Sequence, residues 1–318
     1  MSSSPIKTIF CGTPEFSVPY LEGLLNNPDF SVLGALTQPD KPSGRKQKLS
    51  PSPVKILAQK NNLKIWQPEK LKNNLEINNE LRRMEVDLLV VVAYGQIMPQ
   101  EILNIFPSGA INVHPSLLPK YRGASPIQSA LLAGEKETGI TIMLMDDKMD
   151  HGPVLAQQKI QLTGEETNES LHGQLTKIGV ELLIETIKKY LGGEIKPQEQ
   201  DHSAATFCAV ITKDSARINW QEPARQIKHK IYAFYPWPAT WTVLDNKRLK
   251  IFPPVVVKTT SGQENKKAGQ IQIDNSKLIV ICGSNELELE KIQLEGKKEM
   301  LAEDFIRGYK DLNGKILG

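Results

Sequence analysis

Residues 86–95, Val-Asp-Leu-Leu-Val-Val-Val-Ala-Tyr-Gly, form a nearly unbroken apolar run closed by Gly95. A strand with one wet face alternates apolar and polar residues, so a run without alternation needs cover on both faces. That describes the middle of a parallel sheet with helices on each side. Two other β-prone runs fit beside it. Residues 5–11 lead into Gly12-Thr13-Pro14 and then an apolar-periodic segment through Leu21, Leu24 and Leu25, while residues 31–37 end at Gln38-Pro39-Asp40. Strand, tight turn and helix in this order predict an α/β fold with a Rossmann-like, doubly wound, mainly parallel sheet. Ligands bind such sheets beyond the carboxyl ends of the strands, which directs attention to residues 93–97. No G-x-G-x-x-G follows the first strand, which argues against a nicotinamide-dependent dehydrogenase.

At 318 residues the chain suits two domains better than one. A helix is expected over 71–84, and a long amphipathic helix over 167–190, with Leu171, Leu175, Ile178, Leu182, Leu183 and Ile187 on one stripe and Gly192-Gly193 at its end. The polar stretch 194–206 reads as a linker. Beyond it, a helix over 223–234 precedes short β-prone runs at 248–252, 269–273, 278–282 and 287–294, a pattern that predicts a small barrel. Trp237 and Trp241 read there as core or hinge aromatics. The expected division is 1–190, a linker over 191–208, and a second domain over 209–318.

The three cysteines, Cys11, Cys208 and Cys282, are far apart and form no CxxC or Cys/His cluster. Neither a disulfide framework nor a zinc site is expected, and the cytoplasm is the natural compartment. Adjacent Asp146 and Asp147 lack supporting ligands, so no metal is expected at all. The polar start Met-Ser-Ser-Ser-Pro is no signal peptide, and no run of about 18 apolar residues suggests a membrane span. Nothing calls for a partner subunit, so a monomer is expected. Charge is uneven: residues 210–318 carry 18 Lys and Arg against 13 Asp and Glu, which leaves 21 against 23 in the first 209. A basic C-terminal third favours a polyanionic partner, although lysine-rich surfaces often serve solubility alone.

Residues 111–126, Ile-Asn-Val-His-Pro-Ser-Leu-Leu-Pro-Lys-Tyr-Arg-Gly-Ala-Ser-Pro, carry the clearest chemistry. Asn112 and His114 are two apart, so at the end of a strand they share a face. An amide NH2 beside an imidazole is a pair of donors suited to a developing oxyanion, as in attack on a carbonyl carbon. The plainer alternative is a Pro-rich connection in which both satisfy backbone groups. A second unusual stretch is 41–55, with Lys41, Arg45, Lys46, Lys48 and Lys55, four structure-breaking Pro and Gly residues and no acid. A long structureless basic loop inside a compact domain tends to be functional, the alternative being a solvated surface loop.

Asn-Val-His-x-Ser-Leu-Leu-Pro-x-Tyr-Arg-Gly resembles the signature of the folate-dependent formyltransferases, with Asp150 of Asp150-His151-Gly152 in the place of the family's third catalytic residue, 38 positions after Asn112. The resemblance implies catalysis by Asn112, His114 and Asp150 on 10-formyltetrahydrofolate as formyl donor. Asp150 would orient His114 and relay a proton from the attacking amine to the leaving nitrogen. Folate contacts would come from Ser116, Leu117, Leu118 and Pro119 and from Tyr94 and Gly95. Gln38-Pro-Asp-x-Pro-x-Gly-Arg45 with Lys48-Leu-x-Pro-Ser-Pro-Val-Lys55 resembles the inserted loop of the branch that acts on methionyl-tRNA. It would place Lys41, Arg45, Lys46 and Lys48 on initiator tRNA. Ala233-Phe-x-Pro-Trp-Pro is similar to that branch's OB-like C-terminal domain. His151 and Pro115 depart from the pattern, which most often has Thr and often Gly there, and neither is a catalytic side chain. The competing expectations are a formyltransferase acting on a nucleotide amino-sugar or other small amine, a folate hydrolase with the same triad, and a non-catalytic tRNA-binding protein.

Overall fold

The computed structural model describes residues 4–43, 48–259, 267–309 and 311–318. The chain divides into two compact units: Met1–Pro126, Thr138–Ile160 and His172–Cys208 form one, and Ile127–Glu137, Gln161–Leu171 and Ala209–Gly318 the other.

In chain order the elements are β1 (Ile6–Gly12), α1 (Val18–Leu25), β2 (Phe30–Leu36), β3 (Lys41–Ser43), β4 (Lys48–Ser50), α2 (Pro53–Lys60), β5 (Lys64–Trp66), α3 (Leu75–Arg83), β6 (Leu88–Val92), α4 (Gln100–Leu103) and β7 (Ala110–His114). Then come β8 (Arg122–Gly123), α5 (Pro126–Ala133), β9 (Glu137–Leu144), β10 (Val154–Gln161), α6 (Asn168–Leu191) and β11 (Phe207–Cys208). Seven strands make one sheet in the order β10-β9-β7-β6-β1-β2-β5. The pairs β5–β2, β2–β1, β1–β6 and β6–β7 are parallel, and β9 runs antiparallel to β7. The expected doubly wound, mainly parallel sheet is present.

Burial explains the apolar run. All five residues of β6 are buried. Leu89 and Val91 join Ile9, Cys11, Leu36, Ile77 and Leu81 in one core cluster, while Leu88, Val90 and Val92 point to the opposite face and are fully buried too. The chain lays down β1, β2 and β5 in one direction, then returns to β6 on the other side of β1. The strand order therefore reverses between β1 and β6, and their carboxyl ends open a crevice at that switch point. β7, carrying Asn112 and His114, is the next strand along.

Two local expectations need correction. The helix expected over 71–84 is Leu75–Arg83, because the Asn74 side chain accepts a bond from Ile77 N (3.1 Å) and starts the helix there. The basic stretch expected to be structureless has paired arms: β3 runs antiparallel to β4, with Lys41 opposite Ser50 and Ser43 opposite Lys48. Arg45 and Lys46 lie outside the described residues.

The second unit contains α7 (Ala224–Ala233), β12 (Thr240–Leu244), β13 (Lys247–Lys258), β14 (Ile271–Asp274), β15 (Lys277–Ile281), β16 (Glu286–Leu294), β17 (Met300–Leu301) and α8 (Ala302–Gly308). Its sheet runs β12-β13-β16-β15-β14, antiparallel throughout, with β17 paired to β16. The β13–β16 register slips between Phe252 and Val255, where Pro253 and Pro254 have no N–H to give the ladder. Leu249, Ile251, Val255, Leu278, Val280, Leu287, Leu289 and Ile292 fill a core closed by Ile227, Ile231 and Phe305 of the two helices. Trp237, read from the sequence as a core or hinge aromatic, is 53% exposed and is no core residue. Trp241 lies under the Arg248 guanidinium, 4.1 Å from its carbon to the ring centre.

Two stability predictions follow from this packing. A Cβ at Gly139 on β9 would sit 2.1 Å from the Gln158 carbonyl oxygen of β10 and 2.6 Å from Leu117 Cδ2. Gly139→Ala should therefore lose about 1–3 kcal/mol, seen as a lower urea midpoint at unchanged slope. In the second unit, burial alone pushes the Glu288 carboxyl up, but the ammonium groups of Lys258 (2.6 Å) and Lys277 (3.0 Å) outweigh it and hold the group below the ordinary glutamate value. A depressed carboxyl stabilises the fold above the unfolded value of about 4.3 and stops doing so as the pH falls through the folded value. Glu288→Gln should lower stability at neutral pH and flatten its fall with acid, read from denaturation midpoints across that range.

Candidate active site

β7 puts Asn112 and His114 on one face, as the two-residue period of a strand requires. Its neighbours set their depth. β6 pairs Val91 with Asn112, and β9 pairs Thr141 with His114. Both side chains are buried, Asn112 at 9% and His114 at 4% exposure. Asp150 comes from the turn after β9, with its backbone in the left-handed region at φ +49°.

One oxygen, Asp150 Oδ1, faces both partners: it lies 3.5 Å from Asn112 Nδ2 and 3.6 Å from His114 Nδ1. The other, Oδ2, accepts a 2.7 Å bond from Gly123 N. Good N–H···O bonds fall at about 2.7–3.2 Å, so Asn112 and His114 converge on Asp150 without being spent on it. The remaining imidazole nitrogen is committed, since Nε2 lies 2.9 Å from the Tyr121 carbonyl oxygen. A carbonyl can only accept, so that contact requires a proton on Nε2 and leaves Nδ1 as the atom that faces Asp150. Gly123, at φ +111°, holds a backbone conformation that a side chain would strain, and it is this backbone that aims its N–H at Asp150.

The turn after β7 is built round Thr141. Its hydroxyl donates to Ser116 O (2.6 Å) and accepts from Leu118 N (3.1 Å) and Gln157 Nε2 (2.9 Å), while Gln157 also donates to Leu118 O (2.8 Å). Ser116 is fully buried and donates its own hydroxyl to Lys120 O at 2.6 Å. The Leu118–Pro119 peptide is cis. Of the four residues expected to touch folate here, Ser116 thus shapes the turn, and Leu117 and Pro119 remain partly exposed.

Tyr94 and Gly95 lie just past β6, at the crevice. The Tyr94 ring is in the core, 2% exposed, and burial pushes its phenol up. What the residue offers at the crevice is backbone, and its carbonyl already accepts from Thr13 Oγ1 (2.9 Å) and Gln38 Nε2 (3.2 Å). Gly95 is exposed at φ +83°. At the basic hairpin, Lys41 Nζ donates to Gln38 Oε1 (2.8 Å) and Lys48 is exposed. Lys55 is tied to Asp40 at 2.7 Å, and the Gln67 amide and that ammonium together hold the Asp40 carboxyl below its ordinary value.

Several residues here carried no signal in the sequence. Gln200, from the stretch read as a linker, is 7% exposed: its Nε2 donates to Asp150 O (3.0 Å) and Gly152 O (2.7 Å), and its Oε1 accepts from Arg122 Nη2 (2.6 Å). Arg122 Nη2 also donates to His202 Nδ1 at 2.9 Å. The His202 ring stacks on His151 at 3.9 Å, and His151 Nδ1 meets Asp146 Oδ2 at 2.6 Å. β8 pairs with β11, setting Arg122 against Phe207 and Gly123 against Cys208. Residues 200–208 are therefore part of the site's frame. Among the described residues no group of three or more His, Cys, Asp or Glu is placed to hold a metal ion, and no helix is long and apolar enough to cross a membrane.

The chain is similar to known proteins over most of its length. Residues 6–187 match the family profile described as formyl transferase, and residues 210–310 match the formyl transferase C-terminal domain. This chain belongs to the formyltransferase family. A relative from Caldanaerobacter subterraneus subsp. tengcongensis, named methionyl-tRNA formyltransferase, is 43% identical over 98% of this chain and 100% of its own. One of the same name from Pseudoalteromonas translucida is 39% identical over 99% and 98%. Among solved structures, the N-formyltransferase of Helicobacter canadensis, in complex with folinic acid and dTDP-3-aminofucose, is 17% identical with a TM-score of 0.64, covering 90% of this chain and 98% of that one. The latter likeness is one of fold.

The frame of this candidate site can be tested by removing one hydroxyl. Thr141→Val keeps the shape but leaves Leu118 N, the Ser116 carbonyl and one Gln157 N–H short of a partner. A loss of about 2–3 kcal/mol is expected in urea unfolding, since buried groups left unpaired cost about 1–3 kcal/mol.

Proposed function

We propose that this chain transfers the formyl group of 10-formyltetrahydrofolate to the α-amine of methionyl initiator tRNA. The observation that carries this is the convergence of Asn112 Nδ2 and His114 Nδ1 on Asp150 Oδ1 at the carboxyl end of β7, in a chain that aligns end to end with relatives of that name. The sugar-acting alternative has weaker support, because its structures share the fold at under 20% identity.

The amine nitrogen attacks the formyl carbon, and the carbonyl π pair moves onto oxygen. Asn112 Nδ2 and His114 Nδ1 are the donors for that oxyanion, the imidazole carrying a proton on Nδ1 as well as on Nε2, and each position is worth roughly 3 kcal/mol. Asp150, beside both, takes the proton that the amine must lose and returns it to N10 as the bond from carbon to N10 breaks. The products are the formylated amine and tetrahydrofolate. The Ser116 hydroxyl is bound within its own turn, so it is no nucleophile, and transfer runs directly from donor to acceptor. The donor substrate would lie at the crevice beside residues 93–97, where Ala93 (φ +48°) and Gly95 (φ +83°) hold left-handed backbone, with Leu117, Leu118 and Pro119 as further contacts. Tyr94 would contribute through its backbone.

Lys41, Arg45, Lys46 and Lys48 are the candidate contacts to tRNA phosphate and base edges. Residues 1–190 would form the catalytic domain, 191–208 the linker and 209–318 the tRNA-binding domain. The protein would act as a cytoplasmic monomer.

The test is formyl transfer to methionyl initiator tRNA, with methionyl elongator tRNA and a nucleotide amino-sugar alongside. Strong preference for the initiator is expected, and Asn112→Ala should lower kcat by about 10²–10³-fold. Transfer to the sugar alone would keep the chemistry and overturn the acceptor. Full activity in the Asn112 variant would overturn the site.

A further inference from the structure

We propose that Gln200 is a positioning residue for Asp150, holding it where its carboxylate meets Asn112 and His114. The proposal rests on the role given to Asp150 above. An Asp in the left-handed region is uncommon and costs about 1 kcal/mol or more, so the surrounding structure has to enforce it. Here φ is +49°, and neither prolines nor a helix flank the residue to impose that value. What does impose it is the Gln200 amide. One primary amide has two N–H groups and an acceptor oxygen, and all are used: the N–H groups bind the carbonyls of Asp150 (3.0 Å) and Gly152 (2.7 Å), and the oxygen takes Arg122 Nη2 (2.6 Å). Gln200 thereby pins the Asp150 peptide and the one two residues on, bracketing the turn.

The same strand residues close the loop from the other side. Arg122 anchors the Gln200 oxygen with its side chain, and Gly123 anchors Asp150 Oδ2 with its N–H at 2.7 Å. Carboxylate and backbone of Asp150 are therefore both referred to Arg122–Gly123, which is itself clamped by Thr206, whose carbonyl accepts Arg122 N (2.8 Å) and whose hydroxyl accepts Tyr121 N (2.8 Å). Tyr121 in turn supplies the carbonyl that fixes His114 Nε2. Gln200 is buried, while Glu199 before it and Asp201, His202 and Ser203 after it are exposed. Gln200 is the one buried residue of 199–203, and its amide goes to Asp150.

Placement matters here because the Asp150 to Asn112 and His114 separations, 3.5 and 3.6 Å, are already at the outer limit of contact. Displacing catalytic groups by about 1 Å can cost on the order of 10²-fold in rate. The defining variant is Gln200→Glu, which keeps the oxygen for Arg122 and the shape of the side chain but presents oxygen instead of N–H to the two carbonyls. Gln200→Ala removes all three bonds.

Each is made alone and with Asp150→Asn, and kcat and both KM values are measured with 10-formyltetrahydrofolate and methionyl initiator tRNA, alongside thermal unfolding. In the otherwise unchanged chain both variants should lower kcat by about 10–100-fold, with each KM within about threefold. In the Asp150→Asn background the further loss should shrink to less than about threefold, because a residue acting through Asp150 has nothing left to position. Equal losses in both backgrounds, or a loss confined to KM, would overturn the proposal in favour of a general structural role. Full activity in Gln200→Glu would overturn it as well, whatever Gln200→Ala does to folding. If Asp150→Asn alone is fully active, the reading of Asp150 as catalytic falls and this proposal with it; if Asp150→Asn is impaired and the Gln200 variants are not, only the positioning role falls.

Discussion

The bond from Gly123 N to Asp150 Oδ2 joins two loops that the chain places 27 residues apart, and the candidate site depends on it. With Oδ2 held, Oδ1 is the oxygen turned towards Asn112 and His114. Each supporting contact then serves a definite atom. Tyr121 O takes up Nε2 of His114 and leaves Nδ1 to face Asp150. Thr141 shapes the turn that brings Tyr121 round. Gly123 reaches the carboxylate through backbone alone, at a φ that an L side chain would strain.

The frame is polar and buried, and it stands because its members are matched. Thr141 donates once and accepts twice; the Gln157 amide donates to Leu118 O and to that hydroxyl. A buried polar group left unpaired costs more than its bond contributes, so a network like this is stable only when complete. Completeness makes it stiff, and a stiff frame is what a pair of oxyanion donors requires, since stabilisation comes from donors already in place when charge develops. The apolar part of the sheet supplies the base. Two-sided burial of β6 keeps β7 parallel to it and sets Asn112 opposite Val91.

Much of this was legible in advance. The unbroken apolar run predicts a strand covered on both faces, and β6 is that strand. Asn112 and His114, two apart, were expected to share a face, and they do. Misreadings came where a side chain outcompeted a local trend. Asn74 started α3 four residues after Leu71, and the basic stretch, free of helical or strand periodicity, still paired its arms as β3 and β4. Trp237, aromatic and set among prolines, reads as a core or hinge residue, and its half-exposed ring excludes the core. The polar stretch 194–206, read as a linker, also carries Gln200 and Thr206, whose contacts to Asp150 and Tyr121 no composition signals. Composition averages over a stretch, whereas one inward-facing amide is enough to change its role.

The sequence alone determined residue chemistry and short-range geometry: which groups donate, which accept, and which share a face, because these follow from side-chain structure and from the period of a strand. Tertiary structure decided which atoms meet. That Asp150 stands beside Asn112, 38 positions away, that Gln200 closes on Asp150 across 50, and that His114 presents Nδ1 and not Nε2 are outcomes of packing between distant segments. Such contacts form only once the sheet has buried β6 on both faces and the turns have satisfied their backbone groups. No local pattern in the chain encodes them.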